Sequence, residues 1–177
     1  MLDAPVRSPF DPGTQVTLLD TGKYDSPRDG GARVHRGRDL HVPIGTPVYA
    51  MADGVVHTFM PGRDGVITPG DGLGYAVQIN GHGIRWTYGH FGPQAQNSQH
   101  LAFAPGIAPG VQVVAGQLLG WSGESGATAS GPHLHIDWRD TSGLVDDDPF
   151  ADYQATLGSE AGPRYDPSPT LARIGLG

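Results

Sequence analysis

Two histidines one residue apart stand in the run Ser130-Gly131-Pro132-His133-Leu134-His135-Ile136-Asp137, the stretch of this chain best suited to chemistry. Polar and apolar residues alternate there, which is the pattern of a β-strand. In an extended backbone His133, His135 and Asp137 point to one face, and Leu134, Ile136 and Trp138 to the other. Two imidazoles held on a rigid element suit metal binding, or one metal ligand beside one proton-transfer group, since neither role tolerates a loose rotamer. Asp137 continues the polar face, where it either orients an imidazole as an acceptor or faces solvent.

A second constellation lies far upstream, in His35-Arg36-Gly37-Arg38-Asp39, a histidine and a carboxylate four apart. On a helix they would share a face, but Gly37 between them and the turn-rich approach favour a strand end with a bend. A bend still lets the two side chains converge. With one histidine of the later pair they make a His, Asp, His set, and three protein ligands plus a water is the arrangement of a catalytic zinc. Zinc acidifies water to a pKa of roughly 7 and polarises a carbonyl oxygen, the two needs of amide hydrolysis. The chain contains no cysteine, so thiolate ligands, a cysteine nucleophile and disulfides are all excluded.

The elements that must position these residues read as strands. The 28 Gly and 16 Pro are spread as punctuation between short apolar runs, which predicts an all-β domain, a compact antiparallel sheet. Asp53-Gly54, between the apolar runs of 48–59, predicts a first hairpin. A second is predicted from 75–79 and 84–88 around Asn80-Gly81-His82-Gly83, with Ile84, Trp86, Tyr88 and His90 on one face. Residues 111–121 supply one or two strands and 132–139 the strand of the paired histidines; Val16 to Leu19 is a candidate edge strand. Two long stretches, 61–74 and 91–110, are expected to be loops that wall a groove. One helical turn is expected near 150–157.

At 177 residues the chain has room for one domain with a real core. Eleven basic residues against 18 acidic ones, a net charge of -7, argue against nucleic acid as a partner, because neutralising phosphates needs clustered Lys and Arg. No apolar run approaches the ~20 residues of a membrane span, and no signal peptide is visible at the amino terminus.

His35 to Asp39, Gly45-Thr46-Pro47-Val48, Tyr88-Gly89-His90, Gly116-Gln117 and Gly126 to His135 follow one another in the order found in one family. On these residues the chain resembles the lysostaphin-type (LytM-like) zinc metalloendopeptidases, which cut peptide cross-links in bacterial peptidoglycan. The resemblance covers about residues 33–138. It implies that His35, Asp39 and His135 bind one zinc, while His90 and His133 lie next to the metal-bound water and the scissile carbonyl. It also implies a narrow, open groove for extended peptide backbone. Glu124, in Gly123-Glu124-Ser125, stands where a small or hydroxyl residue is more usual, and the stretch 91–110 is long for the family. Both bear on substrate choice.

The organisation expected is an N-terminal wrapping arm over 1–32, a metallopeptidase core over 33–140, and an acidic, then Pro- and Gly-rich tail over 141–177. The expected enzyme is a monomer acting on peptidoglycan peptides at the bacterial cell wall, outside the cell, in the periplasm or carried by a phage particle. The alternative is a catalytically silent module of the same fold that only binds peptidoglycan or a partner. A cupin-like barrel also uses His-x-His but needs a later histidine, and none follows His135. His41, His57, His82 and His100 are expected to be solvated or core residues, and Trp86, Trp121 and Trp138 core or groove-edge aromatics.

Overall fold

The structure, a computed structural model, describes residues 6–60, 72–93 and 101–140. Ten strands occur among them: β1 (Pro27–Arg28), β2 (Arg33–Val34), β3 (Arg38–Leu40), β4 (Pro47–Tyr49), β5 (Gly54–Met60), β6 (Tyr75–Gly81), β7 (Ile84–Phe91), β8 (Gln112–Val113), β9 (Leu118–Trp121) and β10 (Leu134–Asp140). The helical structure includes two single 3₁₀ turns, Asp20–Gly22 and Asp29–Gly31. The all-β expectation therefore holds. Six strands form one antiparallel sheet in the order β3-β10-β7-β6-β5-β8, with β1-β2 and β4-β9 as two-stranded ribbons. The helical turn expected near 150–157, the tail and most of the loop 61–74 lie outside the described residues.

Alternation along the central strands separates two chemistries. Leu134, Ile136 and Trp138 of β10 are buried beside Trp86 and Tyr88 of β7 and Val77 and Ile79 of β6. Across this apolar face lie Val48, Leu119, Met51, Phe10 and Phe103, which complete one core. The two indoles of Trp86 and Trp138, paired across the strands, stand 5.2 Å apart at their centroids. On the opposite face β10 carries His135, Asp137 and Arg139, and β7 carries Thr87 and Arg85, all buried. Polar groups so placed need partners; the Arg85 guanidinium, for one, donates through Nε to Asn80 Oδ1 at 2.9 Å.

The hairpin between β6 and β7 forms as expected. His82 and Gly83 both have positive φ, 55° and 71°, as a two-residue turn between right-twisted strands requires. The other expected hairpin does not form. β4 pairs with β9, while β5 leaves for β6, so Asp53-Gly54 is a crossing between sheets. Gly54 is needed there for space: a Cβ on it would lie 2.4 Å from the carbonyl oxygen of Asn80. Val16 to Leu19 contributes a single bridge, Thr17 to His41, and no strand. The stretch 91–110 is not simply a wall either, since Ala102, Phe103, Ala104 and Ile107 are core residues and 102–104 lies along β9 through Trp121 N–H to Ala102 O and Ala104 N–H to Leu119 O, both 2.9 Å.

Candidate metal centre

Strand register creates the centre. In the β3–β10 ladder His135 stands opposite Asp39, so two residues 96 positions apart become side-by-side neighbours on the polar face. His35 reaches them from the bend at Gly37, just before β3. Its backbone is tied to the preceding segment, with Asp25 N–H donating to His35 O at 2.7 Å and His35 N–H to Ser26 O at 2.8 Å. Gly37 is small for a reason: a Cβ there would meet His135 Cε1 and Ile136 O at 2.5 Å. The expected bend is present, and it converges the side chains.

His35 Nε2, His135 Nδ1 and Asp39 Oδ1 form a triangle. The edges are 3.0 Å between the nitrogens, 3.0 Å from His35 to the carboxylate and 2.9 Å from His135 to it. The far side of each ring decides what the near side offers. His35 Nδ1 lies 3.0 Å from the carbonyl oxygen of Lys23, which only accepts, so Nδ1 carries the proton and Nε2 presents a lone pair. His135 Nε2 lies 3.3 Å from Asp137 Oδ2, so its proton belongs there and Nδ1 presents a lone pair to the triangle. Three acceptors thus converge at hydrogen-bond distance. A single proton bridges only one edge of such a triangle, whereas a cation at its centre satisfies all three corners. Asp137 is therefore the acceptor that orients the His135 ring.

The electrostatics agree. Burial opposes a charge on His135, but Asp137 and then Asp39 outweigh it and push the imidazole up to about 9 in the metal-free protein. Burial likewise opposes ionised Asp39, but in the metal-free pocket a proton turned toward it from His135 or His35 reverses this and holds the carboxyl far below its ordinary range. The pocket keeps a positive charge at its centre, and a metal ion is the alternative to a proton. Among the described residues His35, Asp39 and His135 are a buried group able to hold a metal ion. Two imidazoles and a carboxylate are a donor set that fits zinc.

The two further histidines flank the triangle. His133 precedes β10, held by a bridge to Gly123, with its Nε2 3.7 Å from Asp39 Oδ1. His90 does not share a face with Ile84, Trp86 and Tyr88 as the alternation predicts. Tyr75 pairs with Phe91 and Val77 with Tyr88, so Gly89 and His90 together oppose Ala76 in a β-bulge. With φ at 64°, His90 is re-aimed out of the core series toward the polar face. Its ring centroid lies 4.4 Å from that of His133 and 6.0 Å from that of His135. His90 Nδ1 donates to Ser125 O at 2.7 Å and His133 Nδ1 to Gly131 O at 2.8 Å, so both rings keep Nε2 as a free base. Burial first, then the neighbouring His133 and His135, lower His90 to about 3; burial also lowers His133. Both are neutral at ordinary pH.

Several neighbours carried no distinctive sequence signal. Arg28 of β1 donates through Nη2 to Asp39 Oδ2 at 2.8 Å. Ser125 is buried beneath His90 and ties the strand ends together, its hydroxyl donating to Phe91 O and accepting from Tyr75 N–H at 3.0 Å. His41, expected among solvated or core residues, is half-buried with its ring centroid 5.4 Å from that of His133. His82 serves the hairpin turn, His57 is half-buried, and His100 lies outside the described residues.

The sequence profile described as Peptidase family M23 matches residues 33–147, a span that contains all five of these side chains. The chain belongs to peptidase family M23. Among curated relatives, this M23 chain is 38% identical over 108 residues to the DD-carboxypeptidase/endopeptidase Mpg of Neisseria meningitidis serogroup B, a match covering 60% of the chain and 20% of the relative. It thus spans about a fifth of the length of the curated relatives it matches. Among solved structures, a zinc containing peptidase from Vibrio cholerae aligns with a TM-score of 0.55 and 26% identity over 76% of this chain and 36% of that one. The fold is also that of the catalytic domain of lysostaphin from Staphylococcus simulans (TM-score 0.52, 22% identity, 94% and 89% of the two chains). A mutant catalytic domain of the prophage-encoded M23 protein EnpA from Enterococcus faecalis shares it too (TM-score 0.56, 24% identity, 92% and 95%).

Proposed function

We propose that this M23 chain is a zinc-dependent endopeptidase that hydrolyses peptide cross-links or stem peptides of bacterial peptidoglycan. The observation that carries the reading is the triangle of three acceptor atoms, none more than 3.0 Å from another, with two neutral imidazoles beside it. His35, Asp39 and His135 would hold one zinc per chain. When bound, zinc supplies Lewis acidity toward an amide carbonyl and toward water. His90 and His133, each with Nδ1–H committed to a backbone carbonyl, have Nε2 available to take a proton from water and return it to the departing amine. Proton transfer of this kind contributes typically 10² to 10⁴-fold. Burial keeps both rings neutral, so a lone pair is present at the start of the cycle, while it lowers their basicity.

Family membership and a relative named as DD-carboxypeptidase/endopeptidase support this substrate class. Short, flexible wall peptides suit an open groove that binds extended backbone. The place of action is then the cell wall, outside the cell or in the periplasm, reached by export, within a larger protein or on a phage particle, with the chain a monomer and nucleic acid no partner. No helix among the described residues is long and apolar enough to cross a membrane. Residues 33–140 would be the metallopeptidase core, with 1–32 as an arm and 141–177 as a tail.

Zinc analysis paired with hydrolysis tests the proposal. Purified chain should carry about one zinc, and should release new amino termini from defined muropeptides until a chelator is added. His133→Ala should abolish release while keeping the metal, and Asp39→Ala should lose the metal. Zinc retention without cleavage of any muropeptide would instead leave a binding module of the same fold.

A further inference from the structure

Asp39 offers two oxygens, and only one faces the triangle. Oδ1 lies 3.0 Å from His35 Nε2 and 2.9 Å from His135 Nδ1, whereas Oδ2 receives Arg28 Nη2 at 2.8 Å. The pair is sheltered, with side-chain exposures of 24% for Arg28 and 10% for Asp39. Arg28 is not placed by chance contact. It sits on β1 opposite Arg33 of β2, and that ribbon runs straight into His35. The segment just before it supplies the Lys23 carbonyl to His35 Nδ1, and Gly22 packs so closely that a Cβ there would come within 3.0 Å of Asp39 Cβ. One short stretch, residues 22–28, thus touches the outer side of two of the three candidate ligands.

We infer that Arg28 is a positioning residue that holds Asp39 as a one-oxygen metal ligand and so keeps coordination positions open for water and substrate. The inference rests on the metal centre proposed above. A carboxylate with both oxygens free can grip a metal with either one or two. Its second oxygen would occupy a place that catalysis needs. Arg28 prevents this by binding Oδ2 through a charge-assisted hydrogen bond, among the stronger bonds a side chain makes. Its charge also offsets part of the carboxylate's, leaving the metal more Lewis-acidic than an unshielded Asp would. Arg28 needs no contact with substrate for either effect.

The test uses the full chain with zinc, and with cobalt(II) in its place. In Arg28→Ala and Arg28→Gln, zinc affinity measured by chelator competition should fall by about 10 to 100-fold, the usual result of losing an outer-shell partner. The visible absorption of the cobalt form should weaken as the freed Oδ2 joins the metal and the coordination number rises. On a defined muropeptide kcat should drop with KM little changed, and Arg28→Lys, which keeps one charged donor, should recover part of the affinity. Parental zinc affinity and cobalt spectrum in both variants would overturn the inference. So would a fall in the unfolding temperature of the metal-free variants large enough to account for the lost affinity, which would mark a structural role. Asp39→Ala separates the two levels: if it loses metal while the Arg28 variants do not, only the role of Arg28 fails; if it keeps metal, the centre itself is misassigned.

Discussion

Gly37→Ala makes the sharpest use of the geometry. The φ of Gly37 lies outside the left-handed region, so alanine brings no backbone strain and the whole effect is steric. The new methyl would sit 2.5 Å from His135 Cε1 and from Ile136 O, about 0.9 Å short of the 3.4 Å at which ordinary van der Waals contact begins. Ile136 O belongs to the ladder between β10 and its neighbours and cannot swing aside, so the ring of His135 or the start of β3 must give. Overpacking of this kind costs about 1 to 3 kcal/mol of stability. A displacement approaching 1 Å at a catalytic group can cost on the order of 10²-fold in rate. Gly37→Ala should therefore lose zinc affinity, measured against a chromophoric chelator, and lose hydrolysis more severely than stability. Gly83→Ala is the control, because it adds strain at a φ of 71° with nothing within 4 Å and lies in the hairpin turn. It should cost roughly 1 to 2 kcal/mol in denaturant titration and leave zinc binding alone. Parental zinc affinity in Gly37→Ala, or equal zinc loss in both variants, would refute the coupling of Gly37 to metal binding through the His135 ring.

Asp137→Ala removes the acceptor that fixes the His135 tautomer, and zinc affinity should fall by about 10 to 100-fold; an unchanged value would show that Asp137 does not orient the ring. His90→Ala and His133→Ala should each lower kcat by about 10² to 10⁴-fold while zinc content by atomic absorption stays at the parental level. The pH dependence of zinc uptake has a definite sign. His135 of the metal-free pocket holds its proton up to about 9, so below that pH zinc must displace it, and the apparent affinity should weaken toward acid. Calorimetry in buffers of different protonation enthalpy should detect about one proton released per zinc near pH 7, and no release would contradict the charge balance of the triangle.

Much of this centre is legible along the chain because its signals are local. The alternation of Leu134 to Trp138 declares its own two faces, and the turn at Asn80-Gly81-His82-Gly83 declares its hairpin. What escapes depends on partners far away in sequence. β4 pairs with β9 and not with β5, since Asp-Gly before a strand also serves a close crossing, as Gly54 does against Asn80. The orientation of His90 follows from a bulge against Ala76, which no pattern within β7 reveals. Ala102, Phe103, Ala104 and Ile107 are punctuated by Pro and Gly and so look like loop, yet they are buried. Arg28 is one of 11 basic residues, and only the fold shows which carboxylate it meets.

The most direct test of the account is an anomalous difference map from crystals of the zinc-loaded chain, recorded at the zinc absorption edge. The account predicts one strong peak, with His35 Nε2, His135 Nδ1 and Asp39 Oδ1 each about 2.0 to 2.2 Å away and Arg28 still on Asp39 Oδ2. A peak bound by other side chains, or none at this triangle in zinc-saturated crystals, would contradict it.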